Sequence, residues 1–239
     1  MGGIHPSTRE FGWLAFERLA RLGVSRPIEA APEVIVRHSL AMQAQDYAGA
    51  KWSIGLRSTS LTDTVVEEAI ASGAIVRTWP MRGTLHFLAS EDVRWMLALL
   101  APRAISAAAG RRRQLEIDDD TTARASRVLE TLLAGASLMT RAEILAAFEA
   151  SGIAAQDQRG IHLIGWAAQS GLICQGSMRG KQSTFALLDE WIRSGPTLPR
   201  DEALARLAIR YLTSHGPATA ADLAWWSGLT LTDSRAAIT

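Results

Sequence analysis

Apolar residues recur at helical spacing in two adjacent blocks of residues 137–188 and then give way to short runs bounded by glycine. In "SLMTRAEILAAFEASG", Thr140 is followed three residues later by Glu143, a pair that can cap a helix reciprocally. Ile144, Leu145 and Phe148 supply the apolar face of that helix, and Gly152 is a plausible stop. "DQRGIHLIGWAAQSG" predicts a second helix, with Ile161, Ile164, Trp166 and Ala168 directed inward and Gly171 closing it. "LICQG", the turn "SMRGK" and "QSTFALL" then predict a short β-hairpin. Helix, helix and hairpin, in that order, is the plan of a winged helix-turn-helix unit.

The same plan precedes this block. "TREFGWLAFERLARLG" reads as an amphipathic helix ending at Gly23, and "APEVIVRHSLAMQ" as a helix with proline near its start. "LTDTVVEEAIASG" is a further helix with Thr62 or Thr64 as cap, followed by strand, turn and strand in "AIVRTWP", "MRG" and "TLHFLA". A helix is expected to start near Ser90, with Glu91 and Asp92 in its acidic first turn. From about residue 201 the plan begins again with "DEALARLAIRYLTSHG", "PATAADLAWWSG" capped by Thr219, and "LTLTDSRAAIT" capped by Thr232. No hairpin follows, so the third unit is expected to be truncated. The expected fold class is mainly α with short β-hairpins (α+β). Its tandem units are residues 1–110, residues 111–195 with a linker helix, and residues 196–239.

Composition narrows the function classes. Of 239 residues, 48% are hydrophobic and 21% charged, which is the balance of a globular chain and not of a disordered one. No apolar run reaches the ~20 residues of a membrane span. "MGGIHPSTREFGWLAF" lacks the basic and apolar regions of a secretory leader. With a single cysteine, Cys174, the expectation is a reducing, cytoplasmic location, nucleoid-associated when bound to DNA, and no membrane partner. Net charge is only +1, but lysine occurs only at 51 and 181 and the remaining cations are arginine. Arginine's planar donors suit phosphate; high arginine beside high alanine also follows from genomic base composition. The triplets Arg111–Arg113 and Asp118–Asp120 read either as a self-compensating linker or, through Arg111 and Arg112, as a phosphate contact. No metal-ligand cluster or glycine-rich phosphate loop is present, so no metal and no cofactor are expected.

The least ordinary chemistry lies in "LAMQAQDYAGAKW", where Gln43 and Gln45 stand one residue apart in an apolar neighbourhood. Two amides at i and i+2 share a side only in extended chain, so the segment must leave helix between Met42 and Gln45, and "DYAGA" is read as the loop that follows. Bonding to backbone at a helix end is the alternative role for such glutamines.

Taken together, "LAMQAQDYAGAKWSIGLRS", "IVRTWPMRGTLHFL", "GLICQGSMRGKQSTFALLDEW" and "HGPATAADLAWWSGL" resemble the AlkZ-type winged-helix DNA glycosylases, relatives of the YcaQ proteins. The resemblance runs the length of the chain. It implies three tandem winged helices forming a concave face on double-stranded DNA. It also implies excision of alkylated bases, including bulky N7-alkylpurine adducts and, in some members, interstrand crosslinks. The family's catalytic motif is glutamine, an apolar residue, then glutamine, which falls here on Gln43-Ala44-Gln45.

N7 alkylation makes a purine a cationic, good leaving group, so positioning a water and stabilising a cationic sugar can suffice. Amides can do this without a covalent lysine intermediate, which makes the expected enzyme a monofunctional hydrolase acting as a monomer. Candidate DNA contacts are His86, Arg82 and Arg77 around the first hairpin, Arg111 and Arg112 in the linker, and Arg179 and Lys181 at the second wing tip. His86 reads equally as a satisfied strand histidine. Asp46 is expected to cap, and Trp52, Trp79, Trp225 and Trp226 to lie in cores. A non-enzymatic winged-helix DNA-binding regulator and an inactive truncated fragment are the competing readings.

Overall fold

In the computed structural model, residues 8–192 and 195–238 are described. Helix α1 (Thr8–Arg21) is followed by α2 (Pro32–His38), β1 (Met42–Gln43), α3 (Tyr47–Gly55), α4 (Asp63–Ala71), β2 (Ile75–Met81) and β3 (Thr84–Ala89). A 3₁₀ turn at Ser90–Asp92 leads into α5 (Val93–Ala107) and α6 (Ala109–Gln114). Next come α7 (Asp119–Leu133), β4 (Met139–Thr140), α8 (Arg141–Ala150), α9 (Arg159–Gln169), β5 (Ile173–Gln175), β6 (Thr184–Leu187) and α10 (Leu188–Trp191). Helices α11 (Arg200–His215), α12 (Ala220–Ser227) and α13 (Leu231–Ile238) complete the chain. The protein is thus largely helical with a small antiparallel sheet. None of the described helices is long and apolar enough to cross a membrane.

Helix–strand–helix–helix–hairpin therefore occurs twice, as α2–β3 and as α7–β6, and the two copies share one sheet. The strand order is β1-β3-β2-β5-β6-β4, a sequence that reads the same from either edge. The halves meet where Arg77 of β2 pairs with Gln175 of β5. Within each half the registers correspond: Met42 and Gln43 oppose Phe87 and His86, while Met139 and Thr140 oppose Phe185 and Thr184.

The alternation of β2 and β3 places apolar residues on both faces of the hairpin, with Arg77, Thr78 and His86 buried among them. Ile75 and Phe87 face α2–α4 with Ile35, Val36, Ile54 and Ile70. Val76 and Leu88 face the other way, onto Trp95, Met96 and Leu100 of α5 and Leu204, Leu207 and Tyr211 of α11. A hairpin buried on both faces has no room for a polar stripe. A separate cluster of Leu129, Leu133, Ile144, Phe148, Leu163 and Phe185 fills the second copy.

Local signals set most helix starts. Thr140 and Glu143 form the reciprocal cap of α8, Thr219 and Asp222 that of α12, and Thr62 caps α4. Several expectations need correction. "DYAGA" is not a loop: α3 begins at Tyr47, directly after Asp46 at its N-cap, although Asp46 makes no capping bond. Helix α13 starts earlier than expected, because Thr230, three residues before Asp233, accepts its backbone N–H at 2.9 Å. Trp52 and Trp225 are not core residues but 69% and 77% exposed. No ion pair joins Arg111–Arg113 to Asp118–Asp120 among the described residues; Asp118 instead caps α7 by accepting from Thr121.

Candidate active site

The chain leaves α2 through Leu40, whose φ of +64° is costly for a residue with a Cβ and here reverses the backbone into β1. From there the segment is extended. Met42 and Ala44 point into the core, and Gln43 and Gln45 stand exposed between them. Ala44 donates its backbone N–H to the Leu85 carbonyl at 2.8 Å, and Leu85 donates in return to Oε1 of Gln45 at 2.8 Å. A side-chain carbonyl thus supplies the next rung of the β1–β3 ladder. The corresponding place in the second copy has no such segment, since Thr140 ends β4 and caps α8 at once. Ala44, Gln45 and Asp46 are an insertion between strand and helix that only the first copy carries.

One buried side chain holds this insertion. Arg77, on β2, is 6% exposed; its Nε donates to the Ala44 carbonyl at 2.9 Å and its Nη2 to the Gln45 carbonyl at 3.2 Å. Its Nη1 donates to Oε1 of Gln175 at 2.8 Å and to the Ser183 hydroxyl at 3.3 Å, and the guanidinium lies 5.2 Å from the Tyr47 ring centroid. Burial lowers its affinity for the proton, although a guanidinium stays charged. Tyr47 is tied down by donating to Glu67 at 2.7 Å.

The remaining candidates are dispersed. His86 lies directly opposite Gln43 in the sheet but is 1% exposed, so it is not a surface contact. Burial pushes its pKa down to about 4, which makes it neutral at pH 7; Nδ1 must then carry the hydrogen donated to the Thr84 carbonyl at 2.9 Å. Arg77 and His86, read from sequence as facing DNA, both point inward. Arg82, at the turn after β2, lies over the exposed Trp225 ring of α12 at 5.5 Å. Arg111 donates to Gln114 and Gln158, and Arg112 to the Ile105 carbonyl. Arg179 is folded back onto Glu143 at 2.8 Å, so of the two cations in the turn between β5 and β6 Lys181 is the one with no ion pair among the described residues. Cys174 is buried, and burial pushes its thiol well up, so it offers no thiolate.

Two neighbouring grooves lie between the copies. One of about 420 Å³ is lined by Leu85, Gln175 and Ser183, the partners of Gln45 and Arg77, and by Trp79, Arg141 and Lys181. The other, of about 390 Å³, is lined by Arg82, Arg112, His162 and Trp166, and shares Trp79 and Ile161 with the first. Sequence reasoning missed Gln175 and Ser183; the one available signal was a glutamine inside the apolar strand "LICQG".

Residues 36–239 match the family model described as DNA glycosylase AlkZ-like. The chain belongs to the AlkZ-like DNA glycosylase family. It is 26% identical over 242 residues to the interstrand DNA cross-link repair glycosylase of Streptomyces sahachiroi, covering 93% of this chain and 60% of that protein. The solved structure of the Streptomyces sahachiroi DNA glycosylase AlkZ superposes with a TM-score of 0.75 at 22% identity, over 92% of this chain and 62% of that one. The AlkZ-like chain therefore spans about three fifths of the length of these relatives.

Proposed function

We propose that this chain is a monofunctional DNA glycosylase that hydrolyses the N-glycosidic bond of N7-alkylated purines in double-stranded DNA. We further read the repeated units as winged helices, divided near residues 110 and 195, with the start of a third after them. The relative named for interstrand cross-link repair supports bulky or crosslinked lesions as substrates. The observation that carries the proposal is the exposed, extended Gln43-Ala44-Gln45 segment, which runs from β1 into the insertion that only this copy carries and is locked from behind by Arg77.

The amides differ in what they can do. Gln45 has its carbonyl oxygen committed to Leu85, so its NH₂ group is left to donate. Gln43 has no hydrogen bond among the described residues and keeps both functions. Gln43 accordingly accepts a hydrogen bond from the attacking water and aims its lone pair at the sugar. Gln45 donates to the lesion or the sugar–phosphate beside it. Because the alkylated purine leaves readily, orientation and a preformed polar site supply the catalysis, and no strong base is required. Lys51 is held by Asp63 at 2.8 Å and Glu67 at 2.5 Å, which keeps its ammonium charged and unsuited to forming a Schiff base; Lys181, in the neighbouring groove, is read as a phosphate contact.

A sequence-reading regulator fits less well. Helix α4, the third helix of the first copy, carries Asp63, Glu67 and Glu68 and no basic residue, the wrong charge for a major groove. Its counterpart α9 packs against α5 and β2.

The test is release of base from duplex DNA containing N7-methylguanine, scored as abasic sites. Loss of release in Gln43→Ala and Gln45→Ala is the expected result; release undiminished in both variants sinks the proposal. Tight binding to one undamaged sequence without base release would favour the regulator.

A further inference from the structure

The two grooves between the copies adjoin each other at Trp79 and Ile161. Trp79 therefore stands between them, with Arg82 and Arg112 along one arm and Arg141 and Lys181 along the other. No aspartate or glutamate among the described residues lines either arm. Arg141 and Lys181 are exposed and make no ion pair among the described residues. Positive potential is felt inside as well: burial, with the charges of Arg111 and Arg112, keeps His162 below the ordinary histidine range.

We propose that the adjoining grooves form one channel that binds an unpaired stretch of DNA strand, with a base stacked on Trp79 and the flanking phosphates on the cations of the two arms. The chemistry selects an unpaired strand over a duplex. A paired base presents only its edges in the grooves, and its faces are covered by its neighbours. An aromatic face set between two groups of cations can be used only by a base that has left its stack. Trp79 is half-buried against the core of the second copy, lying parallel to Phe185 with 2° between the planes and centroids 6.4 Å apart, and its remaining surface lines both grooves. Leu85 places the channel beside the Gln45 amide, so a strand displaced at the lesion has a groove to enter. The inference rests on the DNA-processing reading of the chain but not on base release.

The experiment uses undamaged DNA, which separates it from glycosylase activity. Fluorescence anisotropy compares a labelled duplex with the same duplex carrying a three-nucleotide bubble, and 2-aminopurine in the bubble reports stacking. The intact chain should bind the bubble at least ~10-fold more tightly than the duplex, with quenching of 2-aminopurine. Trp79→Leu should abolish the quenching, and Arg141→Ala with Lys181→Ala should bring the two affinities to within about twofold of each other. Should Trp79→Leu fail to fold, the surface double variant decides alone. Equal binding of bubble and duplex by the intact chain, or a bubble preference that survives the double variant, overturns the proposal. Bubble preference without release of N7-methylguanine keeps the channel and removes the glycosylase assignment; release without bubble preference does the reverse.

Discussion

Arg77 donates to the Ala44 carbonyl at 2.9 Å and to Oε1 of Gln175 at 2.8 Å, so one buried guanidinium grips the glutamine insertion and the second half of the sheet together. No carboxylate hydrogen-bonds to it among the described residues, although the charge of Asp46 acts on it; carbonyl, amide and hydroxyl oxygens and the Tyr47 ring surround it. Lysine has neither the reach nor the forked donors to serve these partners at once. Arg77→Lys should therefore destabilise the fold by about 2–4 kcal/mol in urea denaturation, as buried acceptors lose their partners. Hydrogen exchange offers the sharper reading. The Ala44 and Leu85 amides should lose protection while the Ile75–Ala89 end of the hairpin keeps it. Unchanged protection at Ala44 would refute the anchoring role.

Gln43 and Gln45 separate stability from activity. Gln43 is exposed and makes no hydrogen bond among the described residues, so Gln43→Ala should change stability by less than about 0.5 kcal/mol. Gln45→Ala removes the acceptor for Leu85 N–H and should cost about 1 kcal/mol. Base release should fall steeply in both. A Gln43→Ala protein with native melting behaviour and no release from N7-methylguanine DNA would place that residue in the chemistry and not in the scaffold.

How much of this was legible in sequence follows the distance over which each signal acts. Thr140 with Glu143, and the β2–β3 hairpin around "MRG", are local and were readable. So was the condition that Gln43 and Gln45 share a side only if the segment from Met42 to Gln45 is extended. Thr230 with Asp233 has the same three-residue spacing as Thr140 with Glu143, yet the neighbouring Thr232 drew the assignment. Helix α3 hid behind Gly49 and a cap residue that makes no capping bond. The role of Arg77 was not legible, since its partner Gln175 lies 98 residues away and the two meet only when β2 and β5 join the sheet. Trp52 and Trp225 misled because a tryptophan in a helix carries no mark of which face the fold will cover.

Histidines make stability depend on pH in a defined direction, His86 and His215 more strongly than His162. Burial pushes His86 and His215 down to about 4 from an unfolded value of 6.5. Between those values the unfolded chain takes up protons that the native chain refuses, so the histidine contribution to stability falls as pH drops from 6.5 towards 4 and levels off below. At lower pH, carboxylates held low by their hydrogen bonds, such as Asp118 and Glu143, carry the further loss. Each imidazole accounts for on the order of 3 kcal/mol of the histidine loss. Urea midpoints measured across the histidine range should show the slope. His86→Asn, which can still donate to the Thr84 carbonyl without titrating, should flatten it by about half. An unaltered slope in that variant would remove His86 from the explanation.

Asp92 and Arg210 fasten the α11–α13 helices to the first half of the sheet. The Asp92 side chain is 3% exposed and receives both Arg210 Nη groups, at 2.5 and 2.8 Å, as well as Trp95 Nε1–H at 2.9 Å. Arg210 also donates to the Arg37 carbonyl. Removing the cation alone leaves a carboxylate buried with one neutral donor, so Arg210→Met should cost about 3–5 kcal/mol. Replacing both, as Asp92→Leu with Arg210→Met, should recover part of that loss, because no uncompensated charge remains in the interior. A double-mutant cycle by urea denaturation measures the coupling directly. If the double variant is no more stable than Arg210→Met alone, the penalty comes from lost packing around Trp95 and Arg37 and not from the uncompensated buried charge of Asp92.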